Sequence, residues 1–291
     1  MLKKFLSILY QVIFKLDLLI KKIFKKSLIF HFTKFVMKRS YKEIKIKNNF
    51  VKFFCPNNLT EWRINTFFSK EPETLEWIDK FDNSNKITFW DIGANIGIYS
   101  IYAALSHENI QIISFEPSTS NLRILSQNIS KNNLSKKINI CQFALTNKKN
   151  KFLNLNESGF EEGSALHSYG ETINHEGNQI KSQNKYSLYG TSIDFLIENE
   201  ILETPDYIKI DVDGIEHLIL DGGKKCLLSK KIKGISLELN ENFKEQFEKS
   251  LNILSKSNFE LKEKRRTDLI AVSKEFENTY NFIFEKKNSY E

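Results

Sequence analysis

Cysteine is scarce in this chain. Cys55, Cys141 and Cys226 stand far apart among 291 residues, odd in number, and no two make a C-x-x-C pair. That excludes a disulfide-stapled scaffold and a zinc ribbon, and it suits a reducing, cytoplasmic compartment with packing as the thiols' expected role. Long apolar runs are missing from the first 47 residues, where the longest charge-free stretch, Phe5 to Phe14, has ten residues. A membrane span needs about 18 or more. Lys15 and Asp17 follow that run where a cleaved signal would carry small residues, so a signal peptide is not expected. Nothing requires a second catalytic domain, since 41% apolar content over 291 residues is enough for a three-layer core.

What the amino-terminal 47 residues do have is positive charge. Thirteen Lys or Arg stand against Asp17 and Glu43, a net of +11 in a chain whose total is +7, leaving −4 for the rest. Lys4, Ser7, Gln11, Lys15, Lys22 and Lys26 recur on one helical face, with Phe5, Leu9, Val12, Ile13, Leu16, Ile20 and Phe24 around the remainder. Such a basic amphipathic helix fits peripheral contact of residues 1–40 with the cytoplasmic face of an anionic membrane, or packing on protein. A nucleic-acid partner is not expected, because the basic strip is narrow beside a wide apolar face. The chain therefore divides into an extension, 1–48, and a domain, 49–291.

Within the domain, ITFWDIGANIG (87–97) is a hydrophobic strand running into a glycine turn that carries one carboxylate. Asp91 closes the strand, and Gly93, Asn95 and Gly97 shape a turn that lets a ligand approach the backbone before a helix begins. A dinucleotide fingerprint would place a second glycine where Asn95 stands, so the turn leans away from NAD. A plain tight turn is the alternative. Glu116 ends the next strand, IQIISFEP, 23 positions after Gly93. In a doubly wound sheet that spacing suits an acid that accepts both ribose hydroxyls. A third segment, PDYIKIDVDGIEHLILDGG (205–223), ends its strand in Asp211, Asp213 and Glu216. These acids are candidates for substrate positioning, proton abstraction or a divalent cation; helix capping is the alternative for Asp213 and Glu216.

Apolar strands at 87–92, 110–116, 138–145, 207–212 and 233–239 alternate with helical patterns at 97–107, 118–131, 191–200, 215–229 and 243–256. Two further strands, 259–265 and 281–287, complete a doubly wound, mostly parallel α/β sheet of seven strands. The polar stretch 156–190 is too long for an ordinary connection and is expected to be a hairpin-bearing lid over an acceptor pocket. Its His167 and His175 lack the spacing of a metal site.

In order and spacing, FFSKEPETLEWI (67–78), WDIGANIGIYS (90–100), SFEP (114–117), YIKIDVDGIEHLILDGG (207–223) and ISLELN (235–240) resemble the FkbM family of S-adenosylmethionine-dependent methyltransferases. The likeness covers roughly residues 60–285. It departs at Asp213, where the family usually has Glu. It implies the class I, Rossmann-like methyltransferase sheet, with Asp91, Gly93, Asn95, Gly97 and Glu116 around S-adenosylmethionine. Asp211, Asp213 and Glu216 would then stand at the reacting centre, with Asp211 as the first candidate for base and Glu238 ranked below it. No resident metal is expected. The resemblance implies O-methylation of a sugar, glycan or other small hydroxylated acceptor. A catalytically idle membrane-associated assembly protein, an RNA methyltransferase and an NAD-dependent oxidoreductase are the competing readings.

Overall fold

The computed structural model describes residues 1–179, 182–266 and 278–287. Two amino-terminal helices, α1 (Leu2–Phe24) and α2 (Leu28–Arg39), precede an antiparallel hairpin of β1 (Tyr41–Ile46) and β2 (Asn49–Phe54). Next come α3 (Asn58–Asn65), α4 (Pro72–Asp79), β3 (Ile87–Ile92), α5 (Ile98–Ser106), β4 (Ile110–Phe115), α6 (Thr119–Lys131) and β5 (Ile138–Cys141). A smaller four-stranded sheet follows from β6 (Ala144–Leu145), β7 (Lys151–Glu157), β8 (Ser168–Tyr169) and β9 (Asn184–Thr191). The chain then returns through α7 (Ile193–Glu198), β10 (Tyr207–Ile210), α8 (Glu216–Asp221), β11 (Gly234–Asn240), α9 (Lys244–Lys256), β12 (Phe259–Arg265) and β13 (Thr279–Lys286).

The seven-stranded sheet runs β12-β13-β11-β10-β3-β4-β5, parallel except for β13, which is antiparallel to both its neighbours. Every residue of β3 is buried, as a strand covered on both faces requires. Alternation then sorts the side chains: Phe89 joins the core beneath α4, α5 and α6, and Trp90 joins the core shared with α8 and α9. Between β3 and β10 the strand order changes direction, so the carboxyl ends of β3, β4 and β10 open a crevice where a ligand can enter the sheet.

Two expectations are corrected. The strand expected over 138–145 breaks at residues 142–143, where the Phe143 ring turns onto Phe115 with centroids 5.7 Å apart, and β6 pairs instead with β9. The helix expected over 215–229 stops at Asp221, and a short 3₁₀ turn, Cys226–Leu228, follows. Gly222 is the helix's C-cap, where any side chain would come within 2.2 Å of the Thr146 carbonyl oxygen. The stretch 156–190 carries a hairpin, since its ends are the antiparallel strands β7 and β9 of the smaller sheet, and residues 158–167 arch over the crevice. β1 lies within the expected extension, yet Ile46 is fully buried in the body's core.

Candidate functional site

The turn after β3 is built from left-handed backbone. Gly93, Asn95 and Gly97 have φ of 84°, 50° and 89°, and a Cβ on Gly93 would stand 1.9 Å from the Asp211 carbonyl oxygen. Glycine at 93 is therefore what lets the ends of β3 and β10 abut. The amides of Gly93 and Ala94 donate to the Phe115 carbonyl at 3.0 Å, which ties the turn to β4. Glu116, at the end of β4, accepts the Asn95 amide at 2.7 Å and the Ser118 amide at 2.8 Å. Burial nevertheless pushes its carboxyl up to about 7.

Two adjoining cavities share Gly93, Asn95, Ser164, Ala165, Asp211 and Asp213 in their walls. The first, about 60 Å³, is walled by Phe115, Phe143, Leu155 and Tyr169 with Glu116 beside them. It is an apolar, aromatic slot with one carboxylate, the donor set that suits a nucleoside, although its volume holds only a few water molecules. The second, about 420 Å³, is lined by Trp62, Arg63, Lys70, Tyr99 and Glu238. What narrows the first is the 158–167 arch: the Asn95 and Asn121 side-chain amides both donate to the Ser164 carbonyl, at 2.8 and 3.0 Å. The Gly163 amide donates back to Asn121 at 2.8 Å, and the Leu166 amide donates to Asp213 at 2.7 Å.

Asp91 is fully buried behind the turn, where it accepts the Ser100 hydroxyl at 2.5 Å, and its other oxygen has no partner. It lines neither cavity. Glu216 is also outside both; it accepts the Val212 amide at 3.1 Å, the Gly214 amide at 3.0 Å and the Gln246 side chain, so it holds the loop that bears Asp213. Burial raises the Glu216 carboxyl to about 7. Asp213 sits at φ 63° in that loop, its carboxyl raised by burial and by Asp211.

The second cavity ends on three carboxylates, Glu71, Asp211 and Glu238, whose nearest oxygens all lie within 4.8 Å of one another. Two lysines stand among them. Lys70 pairs with Glu71, and Lys209 pairs with Asp211 at 2.9 Å while lying 4.7 Å from the centre of the Tyr99 ring. Burial acts to raise Asp211, but the ammonium groups of Lys209 and Lys70 more than reverse it and hold that carboxyl at about 2. Glu238 has the opposite fate: burial, Asp211 and Glu71 push its carboxyl well above the usual range. The trio has the donor chemistry of an oxygen-ligated cation site, with positive charge already supplied by the two lysines.

Lys70, Glu71, Tyr99 and Lys209 were absent from the residues singled out by sequence. One signal for Lys209 was present: it interrupts YIKI, a strand otherwise read as buried, and a buried lysine must be paired. Lys70 and Glu71 stand in the family-like segment 67–78 but drew no site role, because the loop before α4 reaches the crevice only through the fold.

The family model described as "Methyltransferase FkbM domain" matches residues 91–264. Among solved structures, an FkbM methyltransferase from Methylobacillus flagellatus KT is 14% identical, over 70% of this chain and 45% of that one, with a TM-score of 0.44. A precorrin-6y C5,15-methyltransferase from Geobacter metallireducens GS-15 is 15% identical, over 75% and 87%, with a TM-score of 0.43. The tRNA methyltransferase TrmK of B. subtilis is 15% identical, over 74% and 66%, with a TM-score of 0.39. No curated protein matches.

Proposed function

The chain belongs to the methyltransferase FkbM family, and on that premise we propose that it moves the methyl group of S-adenosylmethionine onto a hydroxyl of a sugar or similar small hydroxylated acceptor. The observation that carries this reading is the meeting of Gly93, Asn95, Glu116, Asp211 and Asp213 at two adjoining cavities of opposite character. The apolar slot beside Glu116 has the lining for adenosine and would take it once the 158–167 arch opens, with the Glu116 carboxylate accepting the ribose hydroxyls. The turn Gly93–Gly97 would carry the methionine part. The larger cavity fits a polyhydroxylated acceptor, since Trp62 offers an aromatic face and Arg63, Lys70 and Glu238 offer hydrogen bonds.

When bound, the cofactor supplies an electrophilic sulfonium methyl; the protein's own work is to aim the acceptor oxygen and take its proton. Asp211, held ionised by Lys209, has little basicity left and serves to hold charge at the junction of the cavities. Glu238 takes the hydroxyl proton in this reading when it is ionised, because raising its carboxyl above the usual range makes the carboxylate form the stronger base. The Leu166 amide on Asp213 ties the arch to the same junction and so excludes water there once closed.

Isothermal titration with S-adenosylmethionine tests the cofactor. Glu116 titrates near 7 and accepts hydroxyls best as a carboxylate, so affinity should tighten by about tenfold between pH 6 and pH 8. Glu116→Gln should bind weakly with that dependence gone. No binding by the native chain, or full affinity in Glu116→Ala, refutes the assignment. Methyl-labelled cofactor incubated with glycan extracts tests the acceptor: label recovered as a sugar methyl ether supports it, and label confined to RNA or protein overturns it.

A further inference from the structure

Helices α1 and α2 are built unlike the rest of the molecule. Among the described residues 29 large apolar side chains stand exposed, and twenty of them lie between Leu2 and Met37. No residue of α2 is buried, and in α1 only Asp17 is. The two helices pack on each other, and the one side-chain hydrogen bond described between them and the body is a long contact of Arg123 with the Met37 sulfur, 4.0 Å. So much bare apolar surface is not sustained in water.

Its pattern is regular. Phe5, Leu9, Val12, Leu16, Leu19 and Ile23 alternate steps of four and three along α1 and form one row. Lys3 and Lys21 fall opposite that row, Lys4, Lys15 and Lys22 border it, and Lys25 and Lys26 continue the basic strip into the turn. On α2, Phe32, Phe35 and Val36 share one side while Lys34 and Lys38 take the other. Among residues 1–39 Asp17 is the single acid. It is turned inward: it accepts the Ser27 hydroxyl and the Ile29 amide, each at 3.0 Å, and so fastens the start of α2 to α1. The outer surface of the hairpin thus carries apolar groups and positive charge with no negative charge.

We propose that the α1–α2 hairpin lies flat in the surface of an anionic bilayer, its apolar row sunk among the acyl chains and its lysines on the lipid phosphates. A crossing is not open to it, because among the described residues no helix is long and apolar enough to span a membrane. The four-three spacing would also seat a second copy as a coiled coil. Charge decides between them: pairing two copies brings together basic flanks with no acid to offset them, whereas anionic headgroups attract the lysines.

The test uses the full chain and sedimentation with vesicles of phosphatidylcholine alone or mixed with phosphatidylglycerol. Binding to the anionic vesicles should be at least tenfold tighter than to the neutral ones, and raising salt from 0.05 to 0.5 M should weaken it. Leu9→Gln with Leu16→Gln should cost at least tenfold, and Lys4→Gln with Lys15→Gln and Lys22→Gln should remove the preference for anionic lipid. A melting temperature equal to the native chain's shows that each variant is folded; if one is not, the lipid preference and salt dependence of the native chain decide. Equal binding to both vesicle types, or none to either, overturns the proposal. So does a native dimer, seen by light scattering, that Leu9→Gln with Leu16→Gln dissolves while vesicles leave it unbound.

Discussion

Lys209 sits fully inside the sheet, beside Asp91 in the register of β3 and β10, and its ammonium is met by Asp211 and the Tyr99 ring. A charge so deep is tolerable only with such partners. The consequence for chemistry is a division of labour between neighbouring acids, since the carboxylate that keeps the lysine is the one that loses basicity. Glu238, two strands from β3, feels Lys70 only as a minor offset to burial, Asp211 and Glu71, and gains basicity. Glu238→Gln should therefore lower kcat by about 10²–10⁴-fold, the usual range for removing a general base, while S-adenosylmethionine affinity measured by titration stays within about twofold. An unchanged kcat would return the proton to another group. Which residues belong at the crevice was readable for Gly93, Glu116 and Asp211, because strand ends and glycines mark them. It was not readable which acid loses its basicity, since that is set by Lys70 and Lys209, placed 139 positions apart.

At the scale of elements, the turn after β3 and the arch over it depend on each other. Asn95 adopts a left-handed φ of 50°, which turns its backbone amide to Glu116 while its side chain reaches the Ser164 carbonyl. Asn121, from α6, grips the same arch at two points. Since the slot beside Glu116 is only about 60 Å³ with the arch in place, admitting a nucleoside requires these bonds to open. Asn121→Ala should destabilise the closed arch by about 1–3 kcal/mol. Hydrogen exchange at residues 158–167 should then quicken by about tenfold or more, with β3 and β4 unaffected; identical exchange would show that the arch is held by other means. Periodicity located β3, β4, α5 and α6 within a residue or two, because local patterns determine where regular elements begin. It overran α8 and ran β5 into β6, where Gly222 packs against the Thr146 carbonyl and Phe143 turns onto Phe115, contacts distant in sequence.

For the molecule as a whole, the helical hairpin and the body are joined without a shared core, whereas β1 and β2 are part of that core. Removing residues 1–39 should leave the melting temperature within about 2 °C, as no buried apolar side chain is lost. Removing residues 1–48 also takes Ile46, fully buried, whose burial alone contributes about 1.5–3 kcal/mol. At about 2–4 °C per kcal/mol for a body of this size, differential scanning calorimetry should show a fall of about 5 °C or more. Equal melting of the two truncations would move the boundary past β2. By itself the sequence determined the alternation that makes a doubly wound sheet, the left-handed glycine turn, and the basic, apolar character of the first helices, because each follows from neighbours within a few residues. Only the tertiary structure decided that Lys70 and Glu71 meet Asp211, that Glu216 holds a loop outside both cavities, and that the arch fills the slot beside Glu116. Those outcomes depend on side chains brought together from separate strands and loops, where burial and charge, and not spacing along the chain, set the chemistry.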